Sequence, residues 1–187
     1  MKKILIVVDM QNDFIDGSLG SDRAQAVVEK VINKINKFKG DAVICTMDTH
    51  SQDYLKTQEG KNLPVVHCVE GTDGWMINQN VIEALHKLAD RNIVYRTERK
   101  HTFGAKYLPQ VVAGLLGVKD DEQFEIELCG VCTGICVISN AMLLKAFFTE
   151  AKVIVDASCC ACVSEESHKT ALEAMKLCQI RVIGESL

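Results

Sequence analysis

Cys136 ends the run Gly130-Val131-Cys132-Thr133-Gly134-Ile135-Cys136, a glycine-containing turn that leads into a helical stretch over 138–147. A thiol at the start of a helix faces backbone N–H groups and the positive end of the helix dipole, which predicts a lowered thiol pKa and a nucleophilic thiolate. The same N–H groups suit an oxyanion formed when sulfur attacks a carbonyl carbon. The competing reading of an isolated cysteine is a buried structural thiol. Asp9 directly follows an apolar run and reads either as a turn cap or as general base to that thiol, with Lys100 stabilising the charge. Lys100 stands in Arg96-Thr97-Glu98-Arg99-Lys100-His101, a charged run that ordinarily marks a solvated loop. Asp48-x-His50 puts two donors on one side of an extended segment, and Glu59 and His67 follow in the same stretch. Carboxylate and imidazole donors of this kind suit a divalent metal, Zn²⁺, Fe²⁺ or Mn²⁺.

Other polar and sulfur groups offer rival or blander readings. Cys129-x-x-Cys132 has the spacing of a redox dithiol, but no second C-x-x-C lies at zinc-ribbon spacing and Cys129, at the end of a strand, is expected to point into the core. Cys159, Cys160 and Cys162 follow a short strand in the same way and read as packing. His86 and His168 read as surface residues.

The elements that must position these groups are visible as short apolar runs at 4–8, 42–45, 93–95, 124–128, 153–155 and 180–183. Helical periodicity lies between most of them, as in Ala26, Val27, Val31, Ile32 and Ile35, or Val81, Leu85, Leu88 and Ala89. Unbroken Val/Ile runs alternating with amphipathic helices predict an α/β fold with a six-stranded parallel sheet covered on both faces. Ser21 and Ser164 are positioned as N-caps. One long non-periodic stretch, 48–75, interrupts the pattern, and long loops of this kind are usually functional. Ligands of an open parallel sheet bind beyond the carboxyl ends of its strands. Asp9, Asp48, His50, Lys100 and 130–136 all fall at that edge.

Composition bounds the rest. The chain has 187 residues and 20.7 kDa, 48% hydrophobic and 25% charged, enough for one domain over 1–187 with a full core and incompatible with disorder. A net charge of −4 and a pI near 5.7 argue against a nucleic-acid partner. The apolar run after Met1-Lys2-Lys3 ends at Asp9, too short for a signal peptide, and no stretch would span a membrane. A cytoplasmic protein is expected, in which the nine cysteines stay reduced. No G-x-G-x-x-G and no Walker-type G-x-x-x-x-G-K-[ST] is present, so neither a dinucleotide nor an NTP site is encoded.

Taken together, Asp9-Met-Gln-Asn-Asp-Phe14, Asp48-x-His50, His67-Cys-x-x-Gly71-Thr72-x-Gly74, Lys100-His-Thr-Phe-Gly104 and Gly130-Val-Cys-Thr-Gly-Ile-Cys136 resemble, in order and spacing, the isochorismatase-like cysteine hydrolases. The resemblance implies a three-layer α/β/α fold with a Rossmann-like topology. It implies catalytic Asp9, Lys100 and Cys136, a Val131–Cys132 peptide that is cis, oxyanion donors from the backbone of Cys132 and Cys136, and Phe14 as an apolar wall. Within that superfamily Asp48, His50 and His67, with Glu59 as a carboxylate fourth donor, are similar to the metal set of nicotinamidases. The implied reaction hydrolyses the small amide nicotinamide, with pyrazinamide as surrogate, through a thioester on Cys136. Other amide, carbamoyl or isochorismatase-type substrates are the alternative, and a redox dithiol at Cys129 and Cys132 the third reading. Dimers or tetramers are common in such families. The chain departs from the pattern at Thr133-Gly134, at Thr102-Phe103-Gly104 and at Pro64-Val65-Val66.

Overall fold

The structure, a computed structural model, describes residues 1–185. Strand β1 (Lys3–Val8) leads through a single turn, α1 (Asn12–Ile15), into α2 (Asp22–Lys37) and β2 (Ala42–Asp48). Two helices, α3 (Gln58–Asn62) and α4 (Gln79–His86), separate β2 from β3 (Val94–Lys100), and α5 (Leu108–Leu116) precedes β4 (Glu125–Val131). After one wide, π-type turn at Thr133–Val137 come α6 (Ile138–Phe147), β5 (Lys152–Ala161), α7 (Glu165–Leu177) and β6 (Arg181–Ile183).

All six strands are parallel, in the order β3-β2-β1-β4-β5-β6. The predicted six-stranded sheet is therefore present. Its centre is apolar on both faces, since Ile4, Leu5, Ile6, Val7 and Val8 of β1 are all fully buried. In register, Ile6 lies opposite Ile44 on one side and Leu128 on the other. From β1 the chain winds outward one way, to β2 and β3, and from β4 the other way, to β5 and β6. Right-handed crossovers then place α2 and α4 on one face and α5, α6 and α7 on the opposite face. The order reverses between β1 and β4, and a crevice opens there beyond the strand ends.

Helix ends follow local chemistry. Ser21 accepts a hydrogen bond from the Ala24 N–H at the start of α2. Ser164 and Ser167 form a reciprocal capping box at the start of α7.

Two expectations change. The run 96–101 is not a solvated loop: Val94–Lys100 is the edge strand β3, exposed along most of its length and buried at Lys100. An edge strand needs no apolar run, because only one side of it is paired and its faces are partly open. The stretch 48–75 is not structureless either. It holds a 3₁₀ turn at Tyr54–Lys56 and α3, and a parallel bridge from His50 to Val69 closes it back on the end of β2. Gly60 makes this packing possible, since a Cβ there would lie 2.1 Å from the Tyr54 carbonyl oxygen.

Candidate active site

Four of the six strands, β1 to β4, each deliver one functional group at their ends. Asp9, just past β1, takes φ 49°, a left-handed conformation that costs a non-glycine residue strain and is concentrated at functional sites. Asp48 ends β2, Lys100 ends β3, and the turn after β4 carries Cys136. β1 and β4 approach so closely that Gly130, at φ 118°, has no room for a Cβ, which would lie 2.1 Å from the Val8 carbonyl oxygen.

These groups meet in a buried cluster. Lys100 Nζ lies 2.8 Å from Asp9 Oδ2, 3.2 Å from Asp48 Oδ1 and 3.5 Å from Cys136 Sγ. Thr46 Oγ1 donates to Asp9 Oδ1 at 2.6 Å. Burial pushes the Asp9 carboxyl above its usual range, and Lys100 opposes it only in part. Lys100 stays charged: burial favours its neutral form, but the carboxylates of Asp9 and Asp48 beside it outweigh burial and raise its pKa. The Cys136 thiol is pushed well up by burial and by Asp9, against the pull of Lys100. The expectation of a thiol acidified by a helix start is thus corrected. A desolvated sulfur beside a carboxylate keeps its proton, and that proton has a basic acceptor in Asp9.

The metal donors assemble beside this cluster. His50 Nε2 lies 2.9 Å from Asp48 Oδ2 and 3.7 Å from Glu59 Oε1, and His67 Nε2 lies 3.6 Å from Asp48 Oδ2. One donor atom from each of the four falls within 4.8 Å of the others. The set fits a divalent cation on three counts. It is all carboxylate and imidazole. His67 donates Nδ1–H to the Val65 carbonyl at 2.8 Å, leaving Nε2 as the lone pair facing the cluster. Asp48, His50 and His67 are buried, so bulk water does not compete for their donor atoms. Burial pushes Asp48 up, but His50, His67 and Lys100 outweigh it and hold the carboxylate ionised. Tyr54 braces both rings, with centroids 4.6 Å from His50 and 4.9 Å from His67.

A cavity of about 460 Å³ is lined by Cys136 and by Asp48, Glu59 and His67. Phe14, Phe103 and Val131 supply apolar wall, with Phe14 5.5 Å from the His67 ring. The Val131–Cys132 peptide is cis. The arrangement can hold a flat polar molecule between a metal and a nucleophile.

The isochorismatase domain profile matches residues 3–185. This chain belongs to the isochorismatase family. A nicotinamidase of Schizosaccharomyces pombe is 28% identical to this isochorismatase-family chain over 211 residues, covering 97% of it and 92% of the relative. The crystal structure of nicotinamidase/pyrazinamidase PncA from Bacillus subtilis superposes with a TM-score of 0.80 at 23% identity, covering 97% and 99% of the two chains. The crystal structure of a Pyrococcus horikoshii pyrazinamidase in complex with zinc gives 0.75 at 24%, covering 99% and 100%. At these identities the structural likeness establishes the isochorismatase fold.

Several supporting residues were not legible beforehand. Gln11 clamps the end of β2, accepting from the Asp48 N–H at 2.7 Å and donating to the Asp48 carbonyl at 2.9 Å and the Trp75 carbonyl at 2.8 Å. Asn140 ties the nucleophile turn to the loop after β3, donating to the Cys136 carbonyl at 2.8 Å and accepting from the Ala105 N–H at 2.9 Å. Both lie near motif residues, but a lone amide carries no signal of what it clamps. Trp75 is not part of the cavity wall; its indole N–H reaches Thr49 at 3.0 Å and Arg99 lies over its ring. His168 is half-buried, with Nδ1 2.9 Å from Thr133 Oγ1, and so is not the surface residue expected.

The C-x-x-C reading also fails. Cys129 is fully buried, and the Cys132 sulfur faces Cys162 at 3.1 Å. Period two along β4 turns Cys129 and Cys132 to different neighbours.

Proposed function

We propose that this chain is a nicotinamidase, an amidohydrolase that converts nicotinamide to nicotinate and ammonia through a thioester on Cys136. One observation carries the reading: Cys136, which Lys100 links to Asp9, lines the same cavity as Asp48, Glu59 and His67 of a four-donor metal set. An amide needs a nucleophile, and a pyridine nitrogen suits an electrophilic anchor set apart from it.

In this reading Asp9 takes the Cys136 proton as the sulfur adds to the carboxamide carbon. Backbone N–H groups of Cys132 and Cys136 receive the oxyanion, and Lys100 keeps the carboxylate–thiolate pair charged. Asp9 returns the proton to the amide nitrogen, the C–N bond breaks, and ammonia leaves. Water, giving its proton to Asp9, then adds to the thioester, and collapse releases nicotinate and the thiol. Phe14 packs on the ring face. Asp48, His50, Glu59 and His67 would hold Zn²⁺, Fe²⁺ or Mn²⁺, which supplies a Lewis acid for the pyridine nitrogen.

One sheet and one continuous core support a single domain over 1–187. The free cysteines among the described residues suit a cytoplasmic setting, and no helix described is long and apolar enough to cross a membrane. A dimer or tetramer completes the reading and is read by light scattering.

The test is ammonia release across nicotinamide, pyrazinamide and small carbamoyl amides, with metal content measured on the same sample. Turnover of nicotinamide that vanishes in Cys136→Ala supports the reading. Inert nicotinamide beside turnover of another amide overturns it.

A further inference from the structure

Cys162 departs from the packing role expected of its cluster. It lies just past β5, where its sulfur is 3.1 Å from that of Cys132, and both are free thiols. The surroundings favour an anion on Cys162. Burial raises its pKa, but the Cys132 S–H, the Ser167 O–H and the N–H groups of Gly134 and Val163 outweigh burial and hold it below the usual thiol range. Cys132 moves the other way, up to about 12, through burial and through its hydrogen bond to Cys162. Gly134 makes room for this contact, since a Cβ there would stand 3.2 Å from the Cys162 sulfur. Cys162 is itself buried, 6% exposed, but it lines both the substrate-sized cavity and a second groove of about 590 Å³ beside Gly134 and Val163, which give a small oxidant a path to it. The neighbouring Cys129, Cys159 and Cys160 are buried in the core, and Cys160 and Cys129 have pKa values raised by burial.

We propose that Cys162 and Cys132 form an oxidant-sensitive thiol pair that closes to a disulfide beside the nucleophile and switches the enzyme off; the loss of activity, though not the disulfide, rests on the amidase reading. The oxidant is a hydroperoxide, represented by hydrogen peroxide. The Cys162 thiolate attacks one peroxide oxygen and the O–O bond breaks, giving the sulfenic acid and hydroxide; sulfur is oxidised by two electrons as the peroxide is reduced. Cys132 then loses its proton and attacks the Cys162 sulfur. The S–S bond forms, the S–OH bond breaks, and hydroxide leaves as water with that proton. Two thiols and one peroxide thus give one disulfide and two waters. The bond draws the sulfurs together by about 1 Å. Cys132 carries a proposed oxyanion donor, so a displacement of that size there costs about 10²-fold in rate.

Two measurements test this. In the first, reduced Cys136→Ala protein is treated with hydrogen peroxide, its remaining thiols are alkylated, and it is digested without reductant. A cross-linked peptide pair joining Cys132 to Cys162 is expected. Separate alkylation of both, or Cys132 joined to any other cysteine, overturns the proposal. The absence of Cys136 keeps this result independent of the catalytic reading. In the second, wild-type ammonia release is followed through peroxide and then dithiothreitol, each protein scaled to its own reduced rate. A roughly 10²-fold loss that dithiothreitol restores is expected in the wild type. The restorable part should disappear in Cys162→Ser and in Cys162→Ala. The same restorable loss in both variants overturns the switch.

Discussion

At the scale of single residues, the reactive pair is governed by burial more than by dipole. Cys136 and Asp9 are both held toward their protonated forms, so in the proposed reaction the proton leaving the sulfur meets a carboxyl more basic than usual. Asp9→Asn removes the acceptor while keeping the shape, and kcat is expected to fall about 10²–10⁴-fold in a steady-state ammonia assay. Thr46 sharpens the point. Its hydroxyl donates to Asp9 Oδ1 and thereby favours the charged carboxylate, partly offsetting burial. In Thr46→Val that donor is gone, so the Asp9 pKa rises, and the acid limb of kcat/KM should move to higher pH. A limb that stays in place would mean that Asp9 is not the group the profile reports. Lys100, Asp48 and Cys136 are the other charged or titrating groups facing Asp9, and the substitution leaves all three unchanged. His50→Ala removes one donor of the metal set, and metal content measured by elemental analysis should fall at least about tenfold.

At the scale of elements, two substitutions of similar size differ widely in cost. Ser164→Ala deletes one half of the capping box at the start of α7, which is exposed, and is expected to cost about 1 kcal/mol in a urea melt. Gly130→Ala adds one methyl group where β4 passes β1. There it meets the Val8 carbonyl oxygen at 2.1 Å and a φ of 118°, so a loss of about 3 kcal/mol or more is expected, with little folded protein recovered. The strands that were easiest to read are those buried on both faces, such as β1, where every residue after Lys3 is buried. β3 was the hardest, because its charged residues look like loop and only the pairing to β2 makes them a strand. Lys100 inherits that difficulty. Its place among the functional residues was legible from spacing, whereas its burial depends on the edge strand that carries it. The same limit applies to sulfur. Cys162 sits in a cluster with two core cysteines, and nothing in their spacing says that one of the three turns out to the cavity.

At the scale of the whole molecule, α2 is fastened to the sheet by a charge cluster that shares no residue with the cavity lining. Lys34 of α2 pairs with Glu127 of β4 and, at 2.5 Å, with Asp156 of β5, while Lys3 of β1 reaches Glu127 at 3.0 Å. Glu127 and Asp156 are buried and Lys3 and Lys34 half-buried, so desolvation offsets much of the attraction and the cluster's worth lies in its pH dependence rather than in a large sum. Burial alone would raise Glu127 and Asp156, but Lys34 outweighs it, and both carboxyls sit below their ordinary values. A depressed folded pKa contributes stability that is complete above the unfolded values of about 4.3 and 3.9 and is lost as pH falls through the folded ones. Lys34 and Lys3 are raised, so their share is complete at neutral pH and is lost only far on the alkaline side. Wild-type protein should therefore lose thermal stability between about pH 5 and pH 3. Lys34→Met removes the partner they share and leaves two buried carboxyls, Glu127 keeping only Lys3, whose pKa values rise, so the variant should melt lower at pH 7 and lose less on acidification. The two curves of melting temperature against pH are expected to converge toward pH 3, measured with chelator present in both so that metal loss is common to each. Parallel curves would show that this cluster does not set the acid limit of the fold.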